Sequence, residues 1–126
     1  MGVTNTGKYV NRKRLILLRE EDVQIRELLE RWLGEAGYIV SAAVEEQPRL
    51  VIIDLPRSRG AQALIQSLQA VYAAPILVLS GGFRRGLAES ANAARRLGVK
   101  KVLPIPFTRE ELLAAVAASL ADEEQD

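Results

Sequence analysis

At 126 residues, 48% hydrophobic and 26% charged, the chain is one domain's worth of polypeptide that can bury a core without disulfides or metals, which excludes disordered and collagen-like classes. Seventeen basic against sixteen acidic residues leave a formal charge of +1, so neither nucleic acid nor an anionic membrane is expected as a partner. The chain has no Cys and no His, which removes thiol chemistry, Cys/His zinc sites and Ser-His-Asp hydrolysis by inventory.

Residues 1–13 are polar and basic near their end (Lys8, Arg12, Lys13) and read as a flexible leader without the apolar core of a signal peptide. The body runs from 14 to 120, and 121–126 reads as an acidic tail that frays. No apolar stretch is long enough to span a membrane, and a cytoplasmic location is the default expectation.

Within the body, strand and helix patterns alternate. Leu15 to Leu18 is a short apolar run suited to a strand buried on both faces. Ile25, Leu28, Leu29, Trp32, Leu33 and Ala36 then recur at helical spacing, with Asp22 placed as N-cap and Gly37 just past the end. Tyr38 to Val40 predicts a second strand and Leu50 to Ile53 a third. Ala61, Leu64, Ile65, Leu68 and Val71 mark a helix, and Pro75 to Leu79 a fourth strand. Leu87, Ala91, Ala94 and Leu97 follow as a helix closed by Gly98, before a fifth strand at Lys101 to Leu103. Thr108 and Glu111 form a capping box ahead of Leu112, Leu113, Val116 and Leu120.

Short apolar strands separated by amphipathic helices pair in parallel, because parallel strands need crossovers. The expected fold is α/β: a three-layer sandwich around a doubly wound, five-stranded parallel sheet. Only nine residues, Ser41 to Arg49, join the second and third strands, so the helix there is truncated or missing.

In such sheets functional groups collect beyond the carboxyl ends of the strands, which here carry Glu20, Glu21, Asp22, Asp54 and Ser80. Glu20 to Asp22 either cap the first helix and complement its dipole or join Asp54 around a divalent cation such as Mg²⁺. Spacing leaves those two readings equal. Asp54 ends the run Leu50-Val51-Ile52-Ile53, where a lone carboxylate is costly to bury without a purpose. Gly81 to Gly86 could form an anion nest, although it is neither a Walker motif nor a dinucleotide fingerprint.

Taken in order, Leu15 to Leu18, the acidic cluster, Ile25-Arg26-Glu27-Leu28-Leu29, Gly37-Tyr38-Ile39-Val40, Pro48 to Asp54, Pro75 to Ser80, and Leu97-Gly98 through Phe107 with Glu111-Leu112-Leu113 resemble a response-regulator receiver domain (CheY-like). The resemblance implies a flavodoxin-like sheet of order 2-1-3-4-5 and a role in two-component phosphorelay signalling rather than enzymatic turnover. It implies that Asp54 is the phosphoacceptor, that Ser80 hydrogen-bonds the phosphoryl group, and that Glu20, Glu21 and Asp54 hold Mg²⁺. The Ile105–Pro106 bond is often cis in the family.

Four departures accompany the match. Ile105 stands at the family's Lys and Val102 at its switch aromatic, the loop after Asp54 is short, and Glu replaces Asp in the acidic pair. Arg57 or Arg59 are candidates to replace the missing charge. The resulting expectation is an atypical receiver with weak or lost Mg²⁺ binding, acting through protein contacts with Asp54 phosphorylation impaired or lost. Its partner would be a histidine kinase or a downstream signalling protein. A second copy could bind through the helix preceding the fifth strand, that strand and the last helix, where Arg84, Arg85, Arg95, Arg96, Lys100 and Lys101 cluster with only Glu89 among them. The alternatives are a receiver that is phosphorylated at Asp54 with Mg²⁺, and a small flavodoxin-like nucleotide- or phosphate-binding protein.

Overall fold

The computed structural model describes residues 14–43, 46–55, 60–80 and 87–125, with the side chains of 87–90 and 122–125 left aside. Expectations placed on residues 1–13, on Arg57 and Arg59, and on the Gly81 to Gly86 loop with Arg84 and Arg85 lie outside the described residues.

Each apolar run becomes a strand: β1 (Leu15–Arg19), β2 (Ile39–Ser41), β3 (Leu50–Asp54), β4 (Ile76–Ser80) and β5 (Lys101–Pro104). The amphipathic segments become α1 (Val23–Glu35), α2 (Ala61–Val71), α3 (Leu87–Leu97) and α4 (Arg109–Gln125). All strand pairings are parallel, in the order β2-β1-β3-β4-β5. Every strand ends one residue beyond its apolar run, because the backbone ladder continues past the last apolar side chain. Leu55 N–H donates to Leu79 O at 3.1 Å, and Ile105 N–H to Ser80 O at 2.9 Å. Asp54 and Ser80 are therefore the closing residues of their strands.

Alternation along the strands splits the core into two layers. Ile16, Leu18, Leu50, Ile52, Leu77 and Leu79 pack against Leu29 and Leu33 of α1 and Leu112, Val116 and Leu120 of α4. Leu17, Val51, Ile53, Ile76, Val78 and Val102 pack against Ile65 and Leu68 of α2 and Ala93 and Ala94 of α3. Burying a Leu- or Ile-sized side chain stabilises by roughly 1.5–3 kcal/mol, so these layers dominate the fold's energetics.

The helix ends follow the local chemistry. Asp22 Oδ1 accepts from the N–H groups of Gln24 (2.9 Å) and Ile25 (3.1 Å), capping α1. Thr108 Oγ1 accepts from Glu111 N–H (3.0 Å) while Glu111 Oε1 accepts from Thr108 N–H (2.8 Å), closing the reciprocal box at α4. Gly37 turns the chain from α1 into β2 at φ +97°, a conformation that other residues adopt only at a cost. The Ile105–Pro106 bond is cis.

One feature differs from the expectations in detail. The last helix continues through Gln125, so the segment expected to fray as an acidic tail is helical as far as that residue. Ala, Glu and Gln are all helix-compatible, and no Gly or Pro interrupts the run. Between β2 and β3 no helix is formed among the described residues, as the nine-residue spacing requires. Gln47 ties this short crossover down instead: its Nε2 donates to Val71 O (3.1 Å) and its Oε1 accepts from Ala73 N–H (3.0 Å), at the end of α2.

Candidate functional site

The parallel register brings the carboxyl ends of β1 and β3 level. Arg19 pairs with Ile53, so the next residues, Glu20 and Asp54, stand side by side. Both fall on the face opposite Ile53 by strand alternation. Glu20 is only 7% exposed, and Asp54 is half-buried. Burial is the largest cause raising the Glu20 pKa, to about 7; a hydrogen bond from Asp22 N–H opposes it, and the neighbouring Asp54 adds to it. That hydrogen bond, 3.2 Å long, occupies Glu20 Oε2, whereas Glu20 Oε1 is buried and has no hydrogen-bond partner among the described residues. As long as both groups are ionised, neither can donate to the other, so a proton or a cation is what the pair lacks.

The other candidates separate. Asp22 is committed to the α1 cap, which decides for that residue the choice its spacing left open. Glu21 is exposed but shares with Glu20 and Asp54 the lining of a groove of about 500 Å³. The expected convergence of four carboxylates is thus reduced to one adjacent pair, with Glu21 at the same groove. Among the described residues no group of three or more acidic, Cys or His side chains stands close enough to hold a metal. The donor chemistry is nonetheless of the hard, oxygen-only kind that Mg²⁺ accepts with one or two carboxylates and waters. Asp54 and Glu20 are the residues that would hold it.

Ser80 is buried at the end of β4, one position beyond the level of Asp54, since Asp54 pairs with Leu79. Ile105 packs against the α1/α4 core layer, and Val102 is 2% exposed within the α2/α3 layer. Both substituted positions are therefore apolar packing sites in this chain.

Arg19 and Arg26 also line the groove, together with Ala42, Leu55, Leu64 and Leu68. Arg26 Nη1 donates to Glu20 O at 3.3 Å. None of these residues was a site candidate in the sequence. Arg26 carried one signal, a position four residues after the Asp22 cap on the first turns of a helix that leaves the acidic cluster.

No family model matches the chain. It is 36% identical over 125 residues to the transcriptional regulatory protein GltR of Pseudomonas aeruginosa, a match covering 85% of this chain and 49% of that protein. The chain thus spans about half the length of the first curated relatives it matches. Among solved structures, a response regulator protein from Burkholderia multivorans is 31% identical, with a TM-score of 0.55, 82% of this chain covered and 92% of that one. A response regulator receiver protein from Burkholderia phymatum, at 19% identity, shares the fold with a TM-score of 0.66 over 85% of this chain and 94% of its own. With a carboxylate closing β3, an acidic residue beside it and strand order 2-1-3-4-5, the chain belongs to the response-regulator receiver family.

Proposed function

We propose that this chain is an atypical receiver domain of two-component signalling, one that acts through contact with another protein while phosphorylation at Asp54 is impaired or lost. Position 105 carries the reading. An Asp nucleophile attacks a phosphoryl donor in line, and the transferred group's charge must be met by cations. Receivers generally supply Mg²⁺ and a Lys; here the residue at the Lys position is Ile105, packed into the apolar layer. The buried Glu20 beside Asp54 is a second obstacle, because its proton near neutral pH competes with metal. Mg²⁺ binding is weak on this reading, and Ser80 is retained without an acyl phosphate to orient.

The output surface is the face of α3, β5 and α4, which presents Arg95, Arg96, Lys100 and Lys101. An acidic protein partner, a kinase, a downstream factor or a second copy, fits that charge. Among the described residues no helix is long and apolar enough to cross a membrane.

Incubation with acetyl phosphate and Mg²⁺, followed by intact-mass measurement, tests the reading. The expected result is no stable phosphoryl adduct. An adduct abolished by Asp54→Asn would establish the alternative, a receiver that is phosphorylated at Asp54.

A further inference from the structure

The short β2–β3 crossover leaves the flank of α2 without the helical neighbour that a full crossover would supply. Leu64 and Leu68 line the groove from this flank, and Val71, seven residues after Leu64 and so nearly above it on the helix, is 61% exposed. Ile39 is 39% exposed at the edge strand. Because its neighbours Tyr38 and Val40 pack on the α1/α4 layer, Ile39 faces the α2 side. Two of the three large apolar side chains exposed among the described residues, Ile39 and Val71, thus belong to the side the missing helix would cover. Upward along α2, the apolar wall of Leu68, Leu64 and Leu55, faced by exposed Ala42, leads to Glu20 and Asp54.

At that end the groove holds a buried acceptor: among the described residues Glu20 Oε1 has no hydrogen-bond partner. Among the described residues the guanidinium groups nearby do not supply one: Arg26 donates to the Glu20 backbone carbonyl, and the Arg19 side chain is exposed. Ile105 is apolar and packed into the α1/α4 layer, so it offers no charge. An apolar channel that ends in an unsatisfied carboxylate pair has a definite complement, an apolar helix face carrying one primary ammonium or guanidinium.

We infer that the groove between α2 and the β1–β3 edge is a docking site for an amphipathic helix of a partner protein, whose lysine or arginine side chain ends against Glu20 and Asp54. The inference rests on the reading that the domain works by protein contact, but it concerns a surface separate from the α3-β5-α4 face. The partner's apolar residues take the place of the absent crossover helix, and its cation supplies in trans the charge that position 105 lacks. Charge-assisted hydrogen bonds in such a setting are about twice as strong as neutral ones, so the cation adds specificity to an otherwise generic apolar contact.

The test titrates the isotope-labelled full chain with a synthetic amphipathic leucine/alanine helix of about fifteen residues, long enough to be helical when bound. One peptide carries a single lysine, and its twin has norleucine there. Amide shifts should concentrate at Ala42, Leu55 and Leu64, and the norleucine peptide should bind about tenfold more weakly, a difference near 1.4 kcal/mol. The double variant Glu20→Gln, Asp54→Asn should bind both peptides alike. Ala42→Arg, at an exposed position, should abolish binding while leaving the melting temperature unchanged. Equal affinity of the two peptides for the native chain, or shifts confined to α3, β5 and α4, would overturn the inference. So would self-association that the peptide displaces, since the groove would then belong to a second copy. The acetyl phosphate assay reads the proposed function separately, so a phosphorylated chain that still prefers the lysine peptide would refute that reading and leave the groove standing.

Discussion

Glu20 and Asp54 are adjacent because β1 and β3 are in parallel register, Arg19 opposite Ile53, and each chain then advances by one residue. Nothing in the intervening sequence specifies this contact. It follows from the pairing of two buried apolar strands, which cannot slip by one residue without exposing the side chains that hold them. Glu20 is largely out of water, and that burial, with Asp54 beside it, raises its pKa to about 7.

Stability should therefore decline as pH rises. Glu20 holds a proton in the folded chain up to about pH 7, but in the unfolded chain only to its ordinary value of 4.5. Its contribution is fully present below about pH 4.5, falls as pH climbs to about 7 and is flat above. Glu20→Gln, which keeps the shape and cannot ionise, should be more stable than the native chain at pH 8 by about 1–2 kcal/mol, allowing for solvent screening. Asp54→Asn should act in the same direction. Urea denaturation at pH 5.5 and pH 8, followed by Trp32 fluorescence, measures both; a loss of several kcal/mol in either variant would show instead a structurally paired carboxylate.

Mg²⁺ should bind weakly, because Glu20 must lose its proton first and has one oxygen already engaged by Asp22 N–H. Titration monitored by Trp32 emission or calorimetry should give a dissociation constant no tighter than about 0.1 mM, the order of ordinary carboxylate sites. Affinity should rise with pH as the Glu20 proton leaves.

Gly37→Ala should cost about 1 kcal/mol, since the backbone there sits at φ +97°. An added Cβ would also meet Arg14 Nη1 at 2.8 Å, a clash that the flexible Arg end can relieve. Chemical denaturation of the variant beside Gly34→Ala, at a position with open space around it, separates the backbone cost from any general effect.

Thr108→Ala should remove one half of the capping box and destabilise by about 1 kcal/mol, with Glu111→Ala costing no more. The double variant should lose less than the sum of the two, because the hydrogen bonds are reciprocal.

Arg95→Glu with Arg96→Glu should weaken capture of an acidic partner while leaving the melting temperature near that of the native chain, since both side chains are exposed. Native capture should fall with added salt, as exposed charges are screened beyond roughly 10 Å at 0.1 M. Capture that survives both the reversal and high salt would assign the partner surface elsewhere.

Strand and helix identities, the Asp22 and Thr108 caps, the Gly37 turn and the absent β2–β3 helix were all legible along the chain. Each depends on interactions within a few residues: apolar period, a side-chain oxygen near free N–H groups, or a spacing too short for a crossover. The candidate positions Asp54 and Ser80 were legible as the ends of apolar strands, whereas the five-strand order was legible through the family pattern, which encodes a topology that periodicity alone leaves open. What separated Glu20 from Glu21, a buried partner of Asp54 from an exposed rim residue, was decided only in three dimensions. These neighbours share a charge and a place in the sequence, and differ only in the direction that strand end and helix start give each side chain. The groove beside α2, with Arg26, Ala42 and Leu64 in its walls, has the same origin. It is formed by elements distant in sequence and bounded by the space a missing helix leaves, and an absent neighbour has no residue of its own to read.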